Sequence, residues 1–434
     1  MANMTAREQL MLELINRARM DPKGEAERLD VILGEGQQRP VQVLAGNDAL
    51  RASAFNHSGW MLLNDELSVT ETKGSKSFIA VTSIERMHAY GYVLSGHYYY
   101  GENVSWIGEP TIPDFTASIL SQHASLFAGG GSRGRMLNDK FQEAGIGQQA
   151  GTFNQDGTAY IASMVTQDFI ASGAKVFITG AIYTDTVVDN DFYDLGEGIA
   201  SRKVSARGAG ADESGAGGGY ELQFSSTGIA TMVFRQPGTD LKLDVALGVS
   251  NVKVDAVNGS EIWTNGSVQS QSAAITELHA LGVSALVLIG GAAAETITGN
   301  RAANQLIGLG GSDTIVGFRG KDTIAGGPGG DTLTGGAGAD TFLYTVRKDS
   351  AVAAPDIITD FGIGADRLDL SALFDGKLKY IGEGPFTAAH QVSLSTNGEA
   401  VVVHINLDAD IADELSIVLA GVVLGDISRS DFIL

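Results

Sequence analysis

The stretch Gly290–Leu343 reads GGAAAETIT GNRAANQLI GLGGSDTIV GFRGKDTIA GGPGGDTLT GGAGADTFL, and it divides into six units of nine residues. Each unit begins with a glycine: Gly290, Gly299, Gly308, Gly317, Gly326 and Gly335. The sixth place of each unit is acidic or an amide: Glu295, Asn304, Asp313, Asp322, Asp331 and Asp340. The eighth place is always a large apolar residue: Ile297, Leu306, Ile315, Ile324, Leu333 and Phe342. A constant period over six units predicts a solenoid of stacked repeats.

The units follow the GGxGxDxUx pattern of calcium-binding RTX repeats, which form a parallel β-roll. The eighth residue lies on a short strand and points inward, so it must be apolar. The turn before it needs glycine because its backbone bends in ways that a Cβ would oppose. Turn carbonyls and the acidic side chain then offer the oxygen ligands that Ca²⁺ prefers. The predicted ligands of several calcium ions are Asn304, Gly308, Gly310, Asp313, Gly317, Gly320, Asp322, Gly326, Gly327, Gly329, Asp331, Gly335, Gly336, Gly338 and Asp340.

Two units make one turn of such a roll, so units on the same side are eighteen residues apart. We therefore expect shared ions along Asn304–Asp322–Asp340 on one side and along Asp313–Asp331 on the other. The first two units are degenerate and are expected to bind calcium weakly or not at all. The alternatives are a calcium-free glycine-rich solenoid and a flexible linker, and six matches in phase disfavour both.

The charge balance supports a cation-binding surface. The chain of 434 residues carries 51 acidic and 29 basic residues and a net charge of −22. Between Gly290 and Leu434 there are 19 acidic and 9 basic residues, a net charge of −10. Such a surface repels nucleic acid and anionic membranes and attracts divalent cations. The longest apolar stretch, residues 280–294, is too short for a membrane span, so neither a nucleic-acid partner nor a transmembrane segment is expected.

Folding energetics predict where the repeats are ordered. A glycine-rich anionic segment loses much conformational entropy on folding and buries few large side chains. Extracellular calcium modules have dissociation constants of about 10⁻⁴–10⁻³ M, and a tenfold excess of calcium stabilises each site by roughly 1.4 kcal/mol. The repeats should be disordered in the cytosol and folded outside the cell. The chain has no cysteine and no N-terminal signal-peptide pattern, so we expect an extracellular protein exported without an N-terminal signal.

The region after the repeats indicates the export route. Residues Asp356–Phe361 and Asp366–Ser371 resemble the cap that follows RTX repeats in serralysin-type secreted proteins. The final residues, Asp431–Leu434, resemble the uncleaved C-terminal signal of type I secretion substrates. This resemblance implies the type I secretion machinery as a partner. The alternative is an ordinary terminal strand.

The pattern along the whole chain predicts a multidomain protein. Residues 1–170 are expected to form an α+β domain, in which Thr5 and Glu8 make a capping box at the first helix. Short alternating strands predict a small β-sandwich over residues 171–257, of the SdrD-B or carboxypeptidase-regulatory type. A parallel β-solenoid follows over residues 258–343, with the RTX repeats at 290–343. Residues 344–434 are assigned to the cap and secretion region.

Several N-terminal segments occur in an order that resembles the bacterial branch of the CAP (SCP/PR-1-like) superfamily: Leu14–Pro22, His57–Met61, Arg86–Tyr92, Gly101–Val104, Leu137–Asn138 and Phe141–Gly147. The resemblance implies an α-β-α sandwich with a surface cleft, which many members line with two histidines and one or two acids able to hold a divalent metal. The family acid corresponds to Glu102. Val69 and Ser132 stand where relatives often have the two histidines, which argues against a metal site and against catalysis.

Three other histidines are candidates for this cleft: His57, His97 and His123. His57 shares a helix face with apolar residues, which favours a structural role, and His97 and His123 could reach the cleft beside Glu102. The leading hypothesis is a largely non-enzymatic CAP protein that binds an extracellular ligand or partner. The competing hypothesis is a secreted hydrolase that uses Glu102 and a surviving cleft histidine.

Other chemistries were tested against their motifs. The sequence has no His-Glu-x-x-His motif, which excludes a zincin protease. Gly130–Gly134 fits the Gly-x-Ser-x-Gly pattern of lipases, but we expect it to be a flexible loop that lacks the preceding strand. Asp185, Asp189, Asp191 and Glu197 could form a calcium loop in the middle region. Their spacing differs from that of an EF-hand, and a solvated acidic turn is the alternative.

Overall fold

A computed structural model describes residues 4–109 and 114–434 of the chain. The chain forms two compact units, Met1–Thr239 with Ala246–Gly259, and Asp240–Val245 with Ser260–Leu434. Within the described residues, each helix is too short or too polar to cross a membrane.

The α-helices of the described residues all lie in the first unit: α1 (Ala6–Met20), α2 (Pro22–Arg28), α3 (Asp48–Asn64), α4 (Ser83–Ala89), α5 (Phe115–Ala128) and α6 (Gly130–Met136). Its strands are β1 (Ala45–Gly46), β2 (Tyr98–Glu109), β3 (Glu143–Gln155), β4 (Thr158–Ser172), β5 (Val176–Tyr183), β6 (Lys203–Ala206), β7 (Gly210–Glu213), β8 (Gly219–Phe224) and β9 (Gly228–Phe234). They are followed along the chain by β10 (Leu241–Leu247), which spans the boundary between the units, and β11 (Val252–Val257) of the first unit.

A four-stranded sheet with the order β1-β3-β4-β2 is covered by helices on both faces. Side chains alternate across a strand, and those of β4 meet different helices accordingly. Thr166 contacts Ser58 of α3, whereas Gln167 contacts Met11 of α1. Helices α3 and α4 thus form one layer, and α1 and α5 form the other. The Gly-Ile-Gly segment in β3 lets α3 approach closely, since a Cβ on Gly147 would lie 2.0 Å from the backbone nitrogen of Phe55.

The remaining strands of the first unit form two further groups. Strand β5 pairs with β8 in antiparallel fashion and with β11 in parallel fashion. Strand β6 lies between β7 and β9, antiparallel to both. This is the segment for which the sequence predicts a small β-sandwich.

The second unit consists mainly of short strands, and within the repeats the strands of the two sheets begin nine residues apart. They are β12 (Glu261–Thr264), β13 (Val268–Ser270), β14 (Glu277–Ala280), β15 (Val287–Ile289), β16 (Thr296–Thr298), β17 (Gln305–Ile307), β18 (Thr314–Val316), β19 (Arg319–Gly320), β20 (Thr323–Ala325), β21 (Thr332–Thr334), β22 (Ala337–Gly338), β23 (Thr341–Leu343), β24 (Asp356–Ile358), β25 (Arg367–Asp369), β26 (Lys379–Glu383), β27 (Gln391–Asn397), β28 (Ala400–Asn406), β29 (Leu415–Ala420) and β30 (Phe432–Ile433). Two 3₁₀ helices, Leu424–Asp426 and Arg429–Asp431, precede β30.

These strands form two parallel sheets in which units eighteen residues apart are neighbours. In one sheet Ile297 pairs with Ile315 and Ile315 pairs with Leu333. In the other, Leu306 pairs with Ile324 and Ile324 pairs with Phe342. All six of these eighth-position side chains are buried. The predicted parallel roll with two units per turn is confirmed.

The parallel sheets continue beyond Leu343. Strand β24 pairs with β21, and β25 pairs with β23, although residues 344–355 interrupt the nine-residue period. Strand β29 pairs in parallel with β24 and carries the antiparallel strands β28 and β27. Strand β30 pairs with β25 and buries Phe432. The residues after the repeats therefore close the end of the roll.

Consecutive coils approach so closely that some glycines have no room for a side chain. A Cβ on Gly329 would lie 1.7 Å from the carbonyl oxygen of Gly311, and one on Gly338 would lie 1.6 Å from that of Gly320. By contrast, the nearest atom to a Cβ on Gly310 would be 3.9 Å away. The close approach fixes glycine at the fourth place of these units for steric reasons.

Gly329→Ala should therefore destabilise the roll, by about 3 kcal/mol or more, because backbone atoms of two coils must move apart. Gly310→Ala is the matched control, and it should change stability by less than about 1 kcal/mol because the methyl group meets only ordinary contacts. Chemical denaturation of the full chain with calcium in excess measures both effects. Equal effects of the two substitutions would contradict the described stacking.

Candidate functional site

The sixth-position side chains form two columns inside the roll, which we call the carboxylate ladder. One column contains Glu295, Asp313, Asp331 and Asp356, and the other contains Asn304, Asp322, Asp340 and Asp366. Within each column, Oδ1 of an aspartate accepts the backbone N–H of the residue one coil earlier. The distances from N to Oδ1 are 2.8 Å for Asp313–Asp331 and for Asp322–Asp340. Each carboxylate thus ties two successive coils together.

The second oxygen of most ladder carboxylates is buried and has no hydrogen-bond partner among the residues that the structure describes. These atoms are Oδ2 of Asp313, Asp322, Asp331, Asp340 and Asp356, and Oε1 of Glu295. Burial raises the pKa of Asp313, Asp322 and Asp331 to about 6, and that of Asp356 to about 8. Burying a carboxylate oxygen without a hydrogen-bond partner costs free energy of folding. The ionised ladder therefore opposes folding unless a positive charge offsets it.

Glycine at the first place of each unit makes room for these oxygens. A Cβ on Gly308 would lie 2.2 Å from Oδ2 of Asp313, and one on Gly326 would lie 2.1 Å from Oδ2 of Asp331. Anionic oxygens directed at glycine turns are a donor set that suits Ca²⁺, which takes six to eight oxygen ligands. The predicted residues therefore fit a calcium ion.

The structure places the predicted ligands in distinct roles. Gly308, Gly317, Gly326 and Gly335 accommodate the free oxygens, and Gly329 and Gly338 lie where coils approach most closely, while a Cβ on Gly320 would lie 2.4 Å from the carbonyl oxygen of Ala302. Gly327 and Gly336 adopt positive φ angles of 92° and 89°. Gly310 lies in open packing between coils.

Asn304 differs from the aspartates because its amide is fully used. Its Oδ1 accepts from Leu286 N, and its Nδ2 donates to Asn300 Oδ1 and Ala302 O. The amide thus closes its column by hydrogen bonds alone and has no free anionic oxygen. This geometry agrees with weak calcium binding at the degenerate units.

Asp356 and Asp366 belong to the ladder, and the sequence analysis did not include them among the ligands. Asp331 N donates to Asp356 Oδ1, and Asp340 N donates to Asp366 Oδ1. The interruption at residues 344–355 hides them from a search for a nine-residue period. A usable signal does remain, because Ile358 and Leu368 follow them at the same spacing that separates the sixth and eighth places of a repeat.

The acidic group of the middle region is partly assembled. Carboxylate oxygens of Asp185, Asp189 and Asp191 lie within 4.8 Å of one another. Burial raises the pKa of Asp185, whose Oδ1 has no hydrogen-bond partner. Glu197 has a different role, since it accepts hydrogen bonds from the backbone of Thr186, Val187 and Asp194 and so holds the loop together. A calcium ion in this loop remains a prediction for the three aspartates.

In the first unit, Glu102 lies in a buried cluster with His57, Glu71, Arg86 and Asp168. Arg86 Nη2 donates to Glu102 Oε2 at 2.5 Å, and His57 Nε2 lies 3.5 Å from Glu102 Oε1. Glu102 is 6% exposed and His57 is fully buried. The contact required by the hydrolase hypothesis is present, but water and substrate do not reach it.

The acidic groups of this cluster lie close together. Both ring nitrogens of His57 face acceptors, Glu71 Oε1 at 3.1 Å and Ser68 O at 2.8 Å. Glu102 and Asp168 are cross-strand partners in β2 and β4. Burial, and then the charge of Asp168, raises the pKa of Glu102, and burial raises that of Asp168. These raised pKa values favour a proton shared between the two carboxyl groups.

The two other candidate histidines lie away from this cluster. His97 is exposed just before β2, five residues from Glu102, or about 16 Å along an extended strand. His123 is buried on α5, where its Nε2 lies 2.9 Å from Glu25 Oε1. Backbone carbonyls of Val69 and Ser132 accept hydrogen bonds from Arg86 and Asn103, respectively. Neither His97 nor His123 therefore lies beside Glu102, and the positions of Val69 and Ser132 carry no histidine.

The segment that fits the lipase pattern is helical, and the predicted flexible loop is therefore wrong. Gly130–Met136 forms α6 directly after α5, so the required preceding strand is missing. Ser132 Oγ donates to Leu126 O and Gly129 O. The hydroxyl therefore stabilises the junction between α5 and α6.

A hydrogen-bonded chain of Ser395, His404 and Asp413 lies on the outer strands near the C-terminus. Ser395 Oγ is 2.8 Å from His404 Nε2, and His404 Nδ1 is 2.7 Å from Asp413 Oδ2. This is the order of groups in a hydrolase triad. Ser395 is exposed, and the His404 and Asp413 side chains are 28% and 26% exposed. Catalysis also needs a cleft that excludes water, so the chain is best explained as a link between β27, β28 and the loop before β29.

Comparisons with known proteins agree with the description of the C-terminal third of the chain. Residues 281–434 match the family described as Peptidase M10 serralysin C terminal. Serralysin A and Serralysin C of Dickeya chrysanthemi are 37% and 36% identical over 82 residues, which is 18% of this chain and 17% of each relative. The chain therefore matches only a small part of these relatives.

Two solved structures show partial similarity to this chain. One is the AlgE6R3 subunit of the Azotobacter vinelandii mannuronan C5-epimerase, at 29% identity over 33% of this chain and 80% of that chain, with a TM-score of 0.28. The other is an extracellular protein containing a SCP domain from Bacillus anthracis, at 18% identity over 38% of this chain and 40% of that chain, with a TM-score of 0.24.

The shared proton of Glu102 and Asp168 predicts how stability depends on pH. Both pKa values are raised on folding, so the folded state retains a proton that the unfolded chain releases, and stability falls as pH rises through the raised values. Asp168→Asn keeps the shape of the side chain and removes its charge. This variant should lose less stability than the wild type as the pH rises through the raised pKa values.

Thermal unfolding followed by tryptophan emission, with calcium in excess, measures this difference. Asp156→Asn is the control, because Asp156 is exposed in the β3–β4 turn. If Asp168→Asn destabilised the protein equally at all pH values, both carboxylates would be ionised and the shared proton would be ruled out.

Proposed function

We propose that this chain is a secreted calcium-binding protein whose C-terminal roll folds on calcium after export by a type I secretion machinery. In this proposal the N-terminal unit is a CAP-type module that binds an extracellular ligand or partner without catalysing a reaction. The match of residues 281–434 to the serralysin C-terminal family supports the first part.

The observation that carries the proposal is the row of free oxygens in the ladder. Four consecutive repeats present a buried carboxylate oxygen that has no hydrogen-bond partner: Asp313, Asp322, Asp331 and Asp340. At neutral pH Asp313, Asp322 and Asp331 are mostly ionised, because their pKa values are about 6. Unneutralised, they oppose folding, and Ca²⁺ at extracellular concentration supplies the missing charge.

The position of the terminal residues agrees with export before folding. Phe432 is buried in the roll, and Asp431 accepts hydrogen bonds from Gly364 N and Ser428 N. A secretion signal at Asp431–Leu434 is accessible to an exporter only while the roll is unfolded. Low cytosolic calcium keeps the roll unfolded, and high extracellular calcium then allows it to fold.

For the N-terminal unit, the order of the family motifs and the helix-sheet-helix layering support a CAP module. Glu102 is buried against Arg86, and Val69 and Ser132 replace the family histidines. These features support binding over catalysis.

Asp322→Asn tests the role of the free oxygen separately from that of the ladder hydrogen bond. Oδ1 remains to accept from Asn304 N, while the free anionic oxygen is replaced by an amide nitrogen that cannot bind Ca²⁺. The calcium concentration at the folding midpoint of the full chain should rise roughly tenfold. Far-UV circular dichroism during a calcium titration measures it, with Asp375→Asn, at an exposed position, as the control.

A wild-type chain that shows the same spectrum in excess chelator and in excess calcium would refute calcium-dependent folding. If the wild type folds on calcium and Asp322→Asn leaves the calcium midpoint of folding unchanged, the calcium ions do not bind at the ladder.

Export is tested by producing the full chain in a bacterial host that carries a type I exporter for serralysins. The chain should reach the medium when the exporter is active and stay in the cells when its ATPase is inactivated. Appearance in the medium independent of the exporter would refute this route.

A further inference from the structure

Two neighbouring strands of the second unit bring two glutamates and a histidine together on the outer face of the sheet. Strands β12 and β14 are parallel, and Glu261 pairs with Glu277 while Trp263 pairs with His279. The residues between them, Ile262 and Leu278, are fully buried, so all four paired side chains point outward. One carboxylate oxygen of each glutamate and one ring nitrogen of His279 lie within 4.8 Å of one another.

The histidine ring is held in place by the neighbouring tryptophan. The rings of Trp263 and His279 stack with centroids 4.1 Å apart and planes inclined by 17°. Trp263 Nε1 also donates to Glu261 Oε2 at 3.2 Å, which orients that carboxylate. The His279 side chain is only 13% exposed, whereas that of Glu277 is 40% exposed. The donor atoms are therefore positioned in advance and remain open to solvent on one side.

The donor set differs in kind from the carboxylate ladder. An imidazole nitrogen with two carboxylate oxygens suits a divalent first-row ion such as Zn²⁺, and three protein ligands leave a position for water. Calcium prefers oxygen ligands throughout. His279 Nε2 lies 3.0 Å from Glu277 Oε2, so an ion bound at this nitrogen would replace the proton that the pair shares in its absence.

We propose that Glu261, Glu277 and His279 form a binding site for a divalent transition-metal ion of the Zn²⁺ class. The site is separate from the calcium ladder, and Trp263 is its positioning residue.

Zn²⁺ alone is the probe, titrated by calorimetry into the tag-free full chain with calcium in excess. The wild type should bind one Zn²⁺ at this site. Losing an outer-shell partner of a metal weakens metal binding by roughly 10–100-fold. His279→Ala removes a direct ligand and should weaken Zn²⁺ binding by more than that. Glu261→Gln should weaken Zn²⁺ binding as well. The control is His404→Ala, because His404 also pairs with a carboxylate, at 2.7 Å, on the surface of the same unit. Circular dichroism in calcium confirms that each variant is folded.

Copper provides an independent measurement of position. Cu²⁺ bound at His279 lies next to Trp263 and should quench its emission, and this quenching should be absent from Trp263→Phe. The proposal is overturned if the wild type shows no saturable Zn²⁺ binding, or if His279→Ala and His404→Ala bind equally well. Displacement of Zn²⁺ by excess calcium would also overturn it, because that result indicates an all-oxygen site.

Discussion

The roll depends on one repeated hydrogen bond, in which a backbone N–H of one coil donates to a carboxylate of the next. This bond uses one oxygen of each aspartate and, in all but Asp366, leaves the other buried without a hydrogen-bond partner among the described residues. The stacking that orders the repeats therefore buries negative charge, and this charge opposes the folding of the repeats. A cation placed between the coils removes that conflict, so structure and calcium binding in this region are a single property.

The first unit meets a similar problem and solves it differently. Glu71, Glu102 and Asp168 are buried together, but Arg86 and a proton shared by Glu102 and Asp168 offset their charge within the protein. This cluster requires no external ion. The same packing makes Glu102 inaccessible, which explains why a carboxylate with a raised pKa beside a histidine does not by itself indicate an active site.

The sequence predicted the roll well because its period is set by local sterics. Glycine, aspartate and an inward apolar residue recur at fixed places, and each place has one physical role. The same method missed Asp356 and Asp366, since residues 344–355 break the period while the ladder continues through space. It also predicted a loop where Gly130–Met136 forms a helix, because glycines weaken the helical pattern and only tertiary packing restores it. The contacts of the histidines could not be predicted, since His57 and His123 meet partners that are distant in sequence.

The eighteen-residue step also limits how such a chain can change in length. Residues nine apart belong to opposite sheets, and residues eighteen apart share a column. Gaining or losing a single unit would transfer every later strand to the other sheet and separate the Asp356 and Asp366 strands from their partners. Gain or loss of a whole coil keeps both columns aligned with the closing strands. Genetic duplication and deletion within this segment should therefore persist mainly in pairs of units.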